Sequence, residues 1–388
     1  MNAKTPVWTK NPQPQVQHYV NSVAISSDAG TVIGGTYFLS YAGSGNHKPT
    51  AAQPFTVGVF AFNKAGKSLW THTFEATEGV YWVSLSRDGA WAASGGLLSY
   101  STGFIYAYDA STGSFQLLGS PPTRTNIVAL NGDGSYLAAG ADALYVFSRS
   151  GSLWTPLHPI PVPSTDKVIA VALSDDGRWI VAGTYLGTVM LVANNNGALG
   201  APVSWQLPKG SIEWIAIAAD GSGFAVGAST PVGTATSVYF FNTQKFAGTK
   251  SPTWTAPLAG AKGSCRSVAV SDDGSLVSAV AANANPNATA HGLLFLFANN
   301  GTTGTLKWSQ PLQHAPNSTS IDSAGKFVTA ADGFPDSTPG AFYLFDGTGT
   351  PLWAYPTGNM SWPMEISADA TGIAAGSDDG NIYYFTSP

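Results

Sequence analysis

One short pattern recurs along the whole chain, a tight turn between two apolar runs. At residues 174–179 it reads SDDGRW, after VAL and before IVAG. Related turns occupy residues 26–30, 86–89, 131–134, 218–221, 271–274, 323–325 and 367–372. A pattern present in eight places indicates a structural repeat rather than one catalytic or metal site. We interpret the repeated Asp as a turn residue, since its side chain can accept a backbone hydrogen bond two residues on. Calcium binding is the alternative, but no turn has acidic ligands at alternate positions.

Each repeat unit is predicted to contain four short strands. The opening strands begin near residues 23, 83, 128, 171, 215, 268, 319 and 364, so successive units are 43 to 60 residues apart. Periods of this size with four strands are typical of propeller blades. A Gly follows seven residues after the turn Asp in six units, at Gly35, Gly95, Gly140, Gly183, Gly227 and Gly376. The connections leave no room for crossover helices, so the sequence predicts an all-β fold.

The two ends of the chain complete one unit. Six units carry a fourth-strand tryptophan, at Trp70, Trp154, Trp205, Trp254, Trp308 and Trp353, and the second unit has Phe115 instead. The eighth unit ends after its third strand, whereas PVWT (6–9) resembles PLWA (351–354). We therefore predict an eight-bladed β-propeller of four-stranded antiparallel blades, closed by an N-terminal strand in the last blade. Residues 1–388 are expected to form one domain.

Two kinds of segment resemble known propeller repeats. AFNKAGKSLW (61–70) and LFDGTGTPLW (344–353) are similar to the tryptophan-docking repeat of pyrroloquinoline-quinone-like propellers. The Ser-x-Asp-Gly halves resemble WD-repeat and TolB-type units. The resemblance implies a fold but no single function, because such propellers include dehydrogenases, lyases, assembly scaffolds and carbohydrate binders. The resemblance implies that a quinone-dependent member would have an adjacent cysteine pair and a set of calcium ligands. This chain has one cysteine, Cys265. We expect no cofactor and no metal.

Composition argues against several partners. The net charge is −5, charged residues make up 10%, and no long Lys/Arg cluster occurs, so nucleic acid and anionic membranes are not expected partners. No apolar run reaches the roughly 18 residues of a membrane span. Residues 1–20 are polar and contain three prolines, unlike a signal peptide. We slightly favour an exported mature protein whose leader was removed, with Met1 added, over a cytosolic one, and we expect a monomer.

The candidate functional residues are those that break the repeat. Two positions before the opening strands the units carry Asn21, Tyr81, Asn126, Ile169, Glu213, Arg266, Asn317 and Trp362. Near them in sequence lie His18, Tyr19, Trp82, Arg124, Lys167, Trp214, His314 and Met360. In a propeller these positions surround the mouth of the central channel, where they could bind a small polar ligand or a protein. The alternative is a water-filled channel whose polar groups are satisfied.

Two functions remain open at this point. The first is a noncatalytic protein that binds a ligand or partner protein at the channel mouth; the absence of HExxH, GxSxG and P-loop motifs favours it. The second is a lyase, hydrolase or cyclase that uses Glu213 and Arg266 as a base or clamp, assisted by Tyr81, His18 or His314. Insertions near residues 38–55, 228–236, 281–291 and 332–339 are expected on the same face, where they could wall the mouth or bind a protein.

Overall fold

The computed structural model describes residues 2–15, 18–38, 55–231, 235–285, 287–333 and 339–388. The all-β prediction is confirmed. The opening strands are Tyr19–Ile25, Gly79–Leu85, Ile127–Leu130, Val168–Leu173, Ser211–Ile217, the second half of Trp254–Val270, Pro316–Ile321 and Ser361–Ile366. The second strands are Thr31–Tyr37, Trp91–Ser99, Tyr136–Gly140, Trp179–Thr184, Gly223–Ser229, Leu276–Asn283, Phe327–Asp332 and Gly372–Ser377.

The outer half of each unit follows the same plan. The third strands are Phe55–Asn63, Thr102–Asp109, Ala143–Ser150, Thr188–Asn195, Ala235–Asn242, Gly292–Asn299, Ala341–Asp346 and Ile382–Thr386. The fourth strands are Ser68–Ala76, Phe115–Gly119, Leu153–Pro156, Val203–Gln206, the first half of Trp254–Val270, Gly304–Leu312 and Pro351–Pro356. Short strands also lie at Asn2–Ala3, Trp8–Lys10, Ile160–Pro161 and Ala198–Leu199. Most of the insertion at 38–55, and parts of the other three, lie outside the described residues.

Within a unit the strands pair antiparallel in chain order. In unit 4, Val168–Leu173 pairs with Trp179–Thr184, which pairs with Thr188–Asn195, which pairs with Val203–Gln206. Units 1 and 2 share one hydrogen-bonded sheet, as do units 5 and 6, and units 3, 4, 7 and 8 each form a separate sheet. Among the described residues, no helix is long and apolar enough to cross a membrane.

The N-terminal residues pair with the last two units. Trp8 lies opposite Tyr384 in an antiparallel ladder, with Lys10 opposite Ile382. Asn2–Ala3 adds a parallel strand beside Pro351–Pro356, a pairing that the repeat pattern did not predict. The pattern also did not predict the helix Thr243–Thr249, which lies between the third and fourth strands of unit 5.

The repeated Asp side chains act as turn residues, as predicted. In seven units an Asp oxygen accepts a hydrogen bond from the backbone N–H two residues on, at 2.8 to 3.0 Å: Asp28, Asp88, Asp133, Asp176, Asp220, Asp273 and Asp369. In unit 4 the Ser174 hydroxyl donates to Asp176 at 2.7 Å and accepts from the Trp179 N–H at 3.1 Å. The turn motif therefore closes the first hairpin in these seven units.

Replacing the turn glycine Gly177 with alanine is expected to destabilise the protein by about 2–3 kcal/mol. Its φ is +68°, and a Cβ there would lie 2.6 Å from Cδ2 of Tyr136. Gly151 is the matched control, because its φ is +60° but a Cβ would meet nothing within 4 Å. Gly151→Ala should cost only the backbone strain, about 1 kcal/mol. Urea unfolding of both variants measures the difference; equal losses would contradict it.

The fourth-strand tryptophans pack against a neighbouring unit, as a core position would. Trp70 stacks on Tyr108 of unit 2 with ring centroids 5.2 Å apart, and its indole N–H donates to the Ala110 carbonyl at 2.7 Å. The small residues of the second strands let the next unit approach closely. A Cβ on Gly183 would lie 2.4 Å from Ile212 of unit 5. Glycine is required there because the neighbouring opening strand occupies the space.

Candidate functional site

The opening strands surround a common central channel. Each opening strand contacts those of its two neighbours, and the series closes where Ser361–Ile366 meets Tyr19–Ile25. At the Asp-turn end of the channel, backbone N–H groups donate to carbonyls of the next unit at 2.9 to 3.3 Å, in the order Ser27 to Arg87, Asp88 to Gly132, Gly132 to Asp175, Asp175 to Ala219, Asp220 to Asp272, Asp272 to Ser323, Ser323 to Ala368 and Asp369 to Ser27. We call this closed series the turn-end ring, and the opposite end the mouth.

The predicted mouth residues lie at β-bulges. In seven units the register of the first strand pair shifts at the residue two before the unit start, namely Asn21, Tyr81, Ile169, Glu213, Arg266, Asn317 and Trp362. A bulge inserts an unpaired residue and changes the direction of its side chain. The same irregularity therefore presents a different side chain from each of these units near the mouth.

Three of the predicted amides hold neighbouring opening strands together. Their side-chain NH₂ groups donate to backbone carbonyls of the next unit, Asn21 to Tyr81 at 2.6 Å, Asn126 to Val168 at 3.1 Å and Asn317 to Ser361 at 2.8 Å. Each contact joins the opening strands of two adjacent units near the mouth. The three amides thus have a structural role at the mouth in addition to any part in binding.

Arg124 and Tyr81 come together as one cluster. The Arg124 guanidinium pairs with Glu78 at 2.8 Å, donates to the Asn126 side-chain oxygen at 3.1 Å and lies 4.0 Å from the centre of the Tyr81 ring. An arginine held over an aromatic face is oriented by both charge and the ring quadrupole. The cluster forms a preorganised polar surface beside the mouth.

Glu213 and Arg266 do not form the pair that the enzyme hypothesis requires. Both residues lie in the described part of the chain, yet no ion pair within 4.0 Å joins them. Glu213 is half-buried and accepts a hydrogen bond from the Ser211 hydroxyl at 3.2 Å. Arg266 and Lys167 are exposed. The expected base-and-clamp arrangement is therefore not assembled.

The remaining predicted residues lie in separate environments. The Trp362 indole N–H donates at 2.6 Å to Asp378, which also accepts from the Tyr37 hydroxyl at 3.3 Å. Burial raises the pKa of Asp378 to about 7, against the lowering effect of these two donors. His18 is buried, with Nε2 3.1 Å from the Gly380 carbonyl. The backbone N–H of His314, and not its imidazole, donates to Asp332 at 2.8 Å.

Two indoles meet inside the channel. Trp82 of unit 2 and Trp214 of unit 5 lie one position after the bulge residues, and their rings contact edge to face with centroids 4.8 Å apart. Both side chains are half-buried. Units 2 and 5 are separated by two others along the chain, so this contact crosses the channel and narrows it below the mouth.

An ion-pair cluster at the turn-end ring was not identified from the sequence. Arg87 of unit 2 reaches across the channel to Asp175 of unit 4 at 3.2 Å and binds Asp272 of unit 6 through both carboxylate oxygens, one of them at 2.9 Å. It also donates to the Ser323 hydroxyl at 2.8 Å. We call Arg87, Asp175, Asp272 and Ser323 the turn-end clasp. Burial raises the pKa of Asp175 despite the adjacent guanidinium.

A signal for the clasp exists in the repeat itself. The position just before the turn Asp carries Ser27, Arg87, Gly132, Asp175, Ala219, Asp272, Ser323 and Ala368. The side chain at this position ranges from glycine and alanine to aspartate and arginine. This variation in charge at one position of the repeat is the signal in the sequence that indicates the clasp.

Glu365 is a second residue that sequence reasoning did not identify. It lies in the opening strand of unit 8, where burial raises its pKa to about 7 although the Ile25 N–H hydrogen-bonds to it. The folded protein therefore keeps the carboxyl protonated to a higher pH than the unfolded chain does, and the stability penalty of ionisation grows as the pH rises from the unfolded pKa near 4.5 through about 7.

Glu365→Gln is accordingly expected to stabilise the protein at pH 8, by about 2 kcal/mol, and to change little at pH 4.5. The amide keeps the shape and can still accept from Ile25, so only the charge is removed. Urea unfolding across this pH range measures the effect. If the free energy of unfolding rose equally at both pH values, ionisation of Glu365 would not be the cause of the stability penalty.

These observations define the class of the protein. The fold is a β-propeller, and the model of the WD domain, G-beta repeat family matches one stretch of it, residues 154–192, from the fourth strand of unit 3 into the third strand of unit 4. The chain is similar to solved propellers along most of its length. The structure of Chaetomium thermophilum Sqt1 bound to the N-terminus of ribosomal protein L10 has a TM-score of 0.69 and 13% identity, covering 96% of this chain and 98% of that chain.

Two further structures share the fold. A chain of the mitotic checkpoint complex has a TM-score of 0.60 and 14% identity, covering 79% of this chain and 86% of that chain. The β-propeller domain of Myceliophteria thermophila Cps50 (Swd1) has a TM-score of 0.55 and 14% identity, covering 79% of this chain and 96% of that chain. No curated protein matches the sequence. At these identities the likeness extends to the fold alone.

Proposed function

We propose that this protein is a noncatalytic binding propeller that docks a partner protein over the channel mouth. In this proposal residues 1–388 form one monomeric domain of eight blades, and the strand Trp8–Lys10 completes the last blade. The pairing of Trp8 with Tyr384 and the closed turn-end ring support that geometry. In this proposal the tryptophan-docking repeat has a structural role in the blades and does not bind a quinone. Sqt1, whose structure covers nearly the same length, is bound to a ribosomal protein segment.

The distribution of exposed apolar side chains carries the proposal. Six of the large exposed hydrophobic residues lie on or beside fourth strands, at the outer rim: Val7, Leu69, Phe115, Leu117, Leu153 and Leu306. The other three, Tyr100, Tyr185 and Leu186, lie in hairpins between second and third strands. Antiparallel pairing puts these hairpins at the same end as the start of the opening strands, and the Tyr185 N–H donates to the Lys167 carbonyl at 2.9 Å. These three exposed apolar side chains therefore lie beside the mouth.

The side chains around them suit a protein interface. Tyr100 and Tyr185 are 65% and 62% exposed, so most of each aromatic side chain lies outside the core and is accessible to a partner. Tyrosine, tryptophan and arginine are the residues that most often dominate binding energy at protein interfaces. Arg124, Lys167 and Arg266 supply cations on the same face, so we expect the partner to contribute apolar groups together with hydrogen-bond acceptors or carboxylates.

Tyr185→Asp is expected to weaken partner binding at least about tenfold, because it removes an aromatic contact and introduces a charge into the interface. Leu153→Asp is the matched control, since Leu153 is 63% exposed but lies on an outer strand. Tagged wild-type and variant proteins would be compared by quantitative mass spectrometry of captured proteins, followed by titration of the enriched partner. If Leu153→Asp lost the partner and Tyr185→Asp kept it, the mouth-face proposal would be wrong.

A further inference from the structure

The channel contains one layer of small side chains with a single carboxylate. The second residue of each opening run is Ala24, Ser84, Ala129, Ala172, Ala216, Ala269, Ser320 or Glu365. All but Ala24 remain partly accessible, whereas the first residue of every run is buried. Because these strands are the innermost ones, solvent reaches that layer only through the channel. Small side chains from seven units leave a space that the eighth unit lines with a carboxyl group.

The charge of Glu365 is not needed to join units 8 and 1. In units 2 and 7 a serine makes the equivalent link, with Ser84 accepting from the Leu130 N–H at 3.1 Å and Ser320 from the Ile366 N–H at 3.0 Å. Glu365 accepts in the same way from Ile25. A hydroxyl therefore suffices at this position, and an ionised carboxylate adds a desolvation cost. The join between units 8 and 1 therefore does not explain why this position carries a carboxylate.

Aromatic rings face the same channel nearer the mouth. The Trp82 and Trp214 pair precedes the Glu365 layer by two residues along the opening strands, a rise of about 7 Å. The faces of indole rings beside a carboxylate can bind an organic ammonium ion, because the ring face is electronegative.

Carboxylates at the turn end make the electrostatic potential in the channel more negative. The next residues of the opening runs form an apolar collar, and Ile25, Leu85, Leu130, Ile321 and Ile366 line a cavity of about 230 Å³ together with members of the turn-end clasp. The clasp contributes two carboxylates and one guanidinium, so with Glu365 the channel residues carry more negative than positive charge. A narrow site bounded by low-dielectric walls strengthens the attraction of such charges for a cation.

We propose that the channel between the Trp82–Trp214 pair and the apolar collar binds a small organic cation, an alkylammonium ion, through an ion pair with Glu365 and contacts with the two indoles. The site lies inside the propeller, below the mouth surface where the partner protein is proposed to dock. It does not depend on that partner, and it takes a ligand of different chemistry.

Titration calorimetry and thermal shift with butylammonium and tetramethylammonium test the proposal, with butanol and butyrate as matched probes. The wild-type protein should bind at least one of the cations and neither matched probe. Glu365→Gln should weaken cation binding at least about tenfold, because a charged partner is removed, and Trp82→Leu should also weaken it. Glu213→Gln is the control carboxyl at the mouth and should bind as the wild type does.

The outcomes are distinct. Absence of binding by both cations, binding that survives in Glu365→Gln, or equal loss in Glu213→Gln would overturn the proposal. All three variants must first show wild-type circular dichroism and a cooperative unfolding transition, and Glu365→Gln is expected to be at least as stable as the wild type. Tyr185→Asp should keep cation binding, so a failure of the mouth-face proposal would leave this result unchanged.

Discussion

Trp8→Ala is expected to destabilise the protein by about 3–5 kcal/mol, the range found when large buried aromatic side chains are truncated. Trp8 is 9% exposed and stacks on Tyr384 with ring centroids 5.4 Å apart. Its ring also meets Phe62 of unit 1 at 5.6 Å, and its indole N–H donates to the Lys64 carbonyl at 3.1 Å. The substitution therefore removes packing and a hydrogen bond at the junction between the first and last units.

Val7 provides the matched control for this prediction. It is the adjacent residue and is 55% exposed, so Val7→Ala should change stability by less than about 0.5 kcal/mol. Equilibrium urea unfolding, followed by circular dichroism, measures both variants. A loss below about 1 kcal/mol for Trp8→Ala would show that the N-terminal strand contributes little, and the proposed closure of the propeller would fail with it.

Arg87→Met is expected to cost about 3 kcal/mol, the lower end of the range for breaking a buried ion pair, because water screens the clasp in part. The side chains of Arg87, Asp175 and Asp272 are 30%, 41% and 36% exposed. Without the guanidinium, two carboxylates from units 4 and 6 face each other across the channel. Replacing both with asparagine in the same chain should recover part of the loss.

Arg178 is the matched control for the clasp. It pairs with Asp176 in the turn of unit 4, but its side chain is 66% exposed, so Arg178→Met should have almost no effect. The comparison uses urea unfolding at pH 7 and at high salt. If Arg87→Met behaved like Arg178→Met, the cross-channel contact would not stabilise the fold.

The repeat made much of the architecture predictable. Turn residues such as Asp176, small residues such as Gly183 and packing residues such as Trp70 recur at fixed spacings, because every unit faces the same local geometry. The prediction could not include the helix Thr243–Thr249 or the strand Asn2–Ala3, since each occurs once. The bulges were also not predicted, because they follow from how neighbouring opening strands meet and not from one unit's pattern.

The candidate site was harder to predict for a physical reason. Contacts across the channel join residues far apart in sequence, such as Arg87 with Asp272 and Trp82 with Trp214. Their pairing depends on the angular order of the units and on side-chain reach, neither of which a local pattern contains. The same limit explains Glu213 and Arg266, which occupy equivalent positions on adjacent units and still form no ion pair.

The turn-end ring has a consequence for how this molecule loses its structure. An open array of repeats frays from its terminal members, which have a neighbour on one side only. Here the Asp369 N–H donates to the Ser27 carbonyl, so every unit has a neighbour on both sides and none is terminal. Hydrogen exchange should then show similar protection in the first, middle and last opening strands, and a circular permutant cut between two units should keep most of that protection.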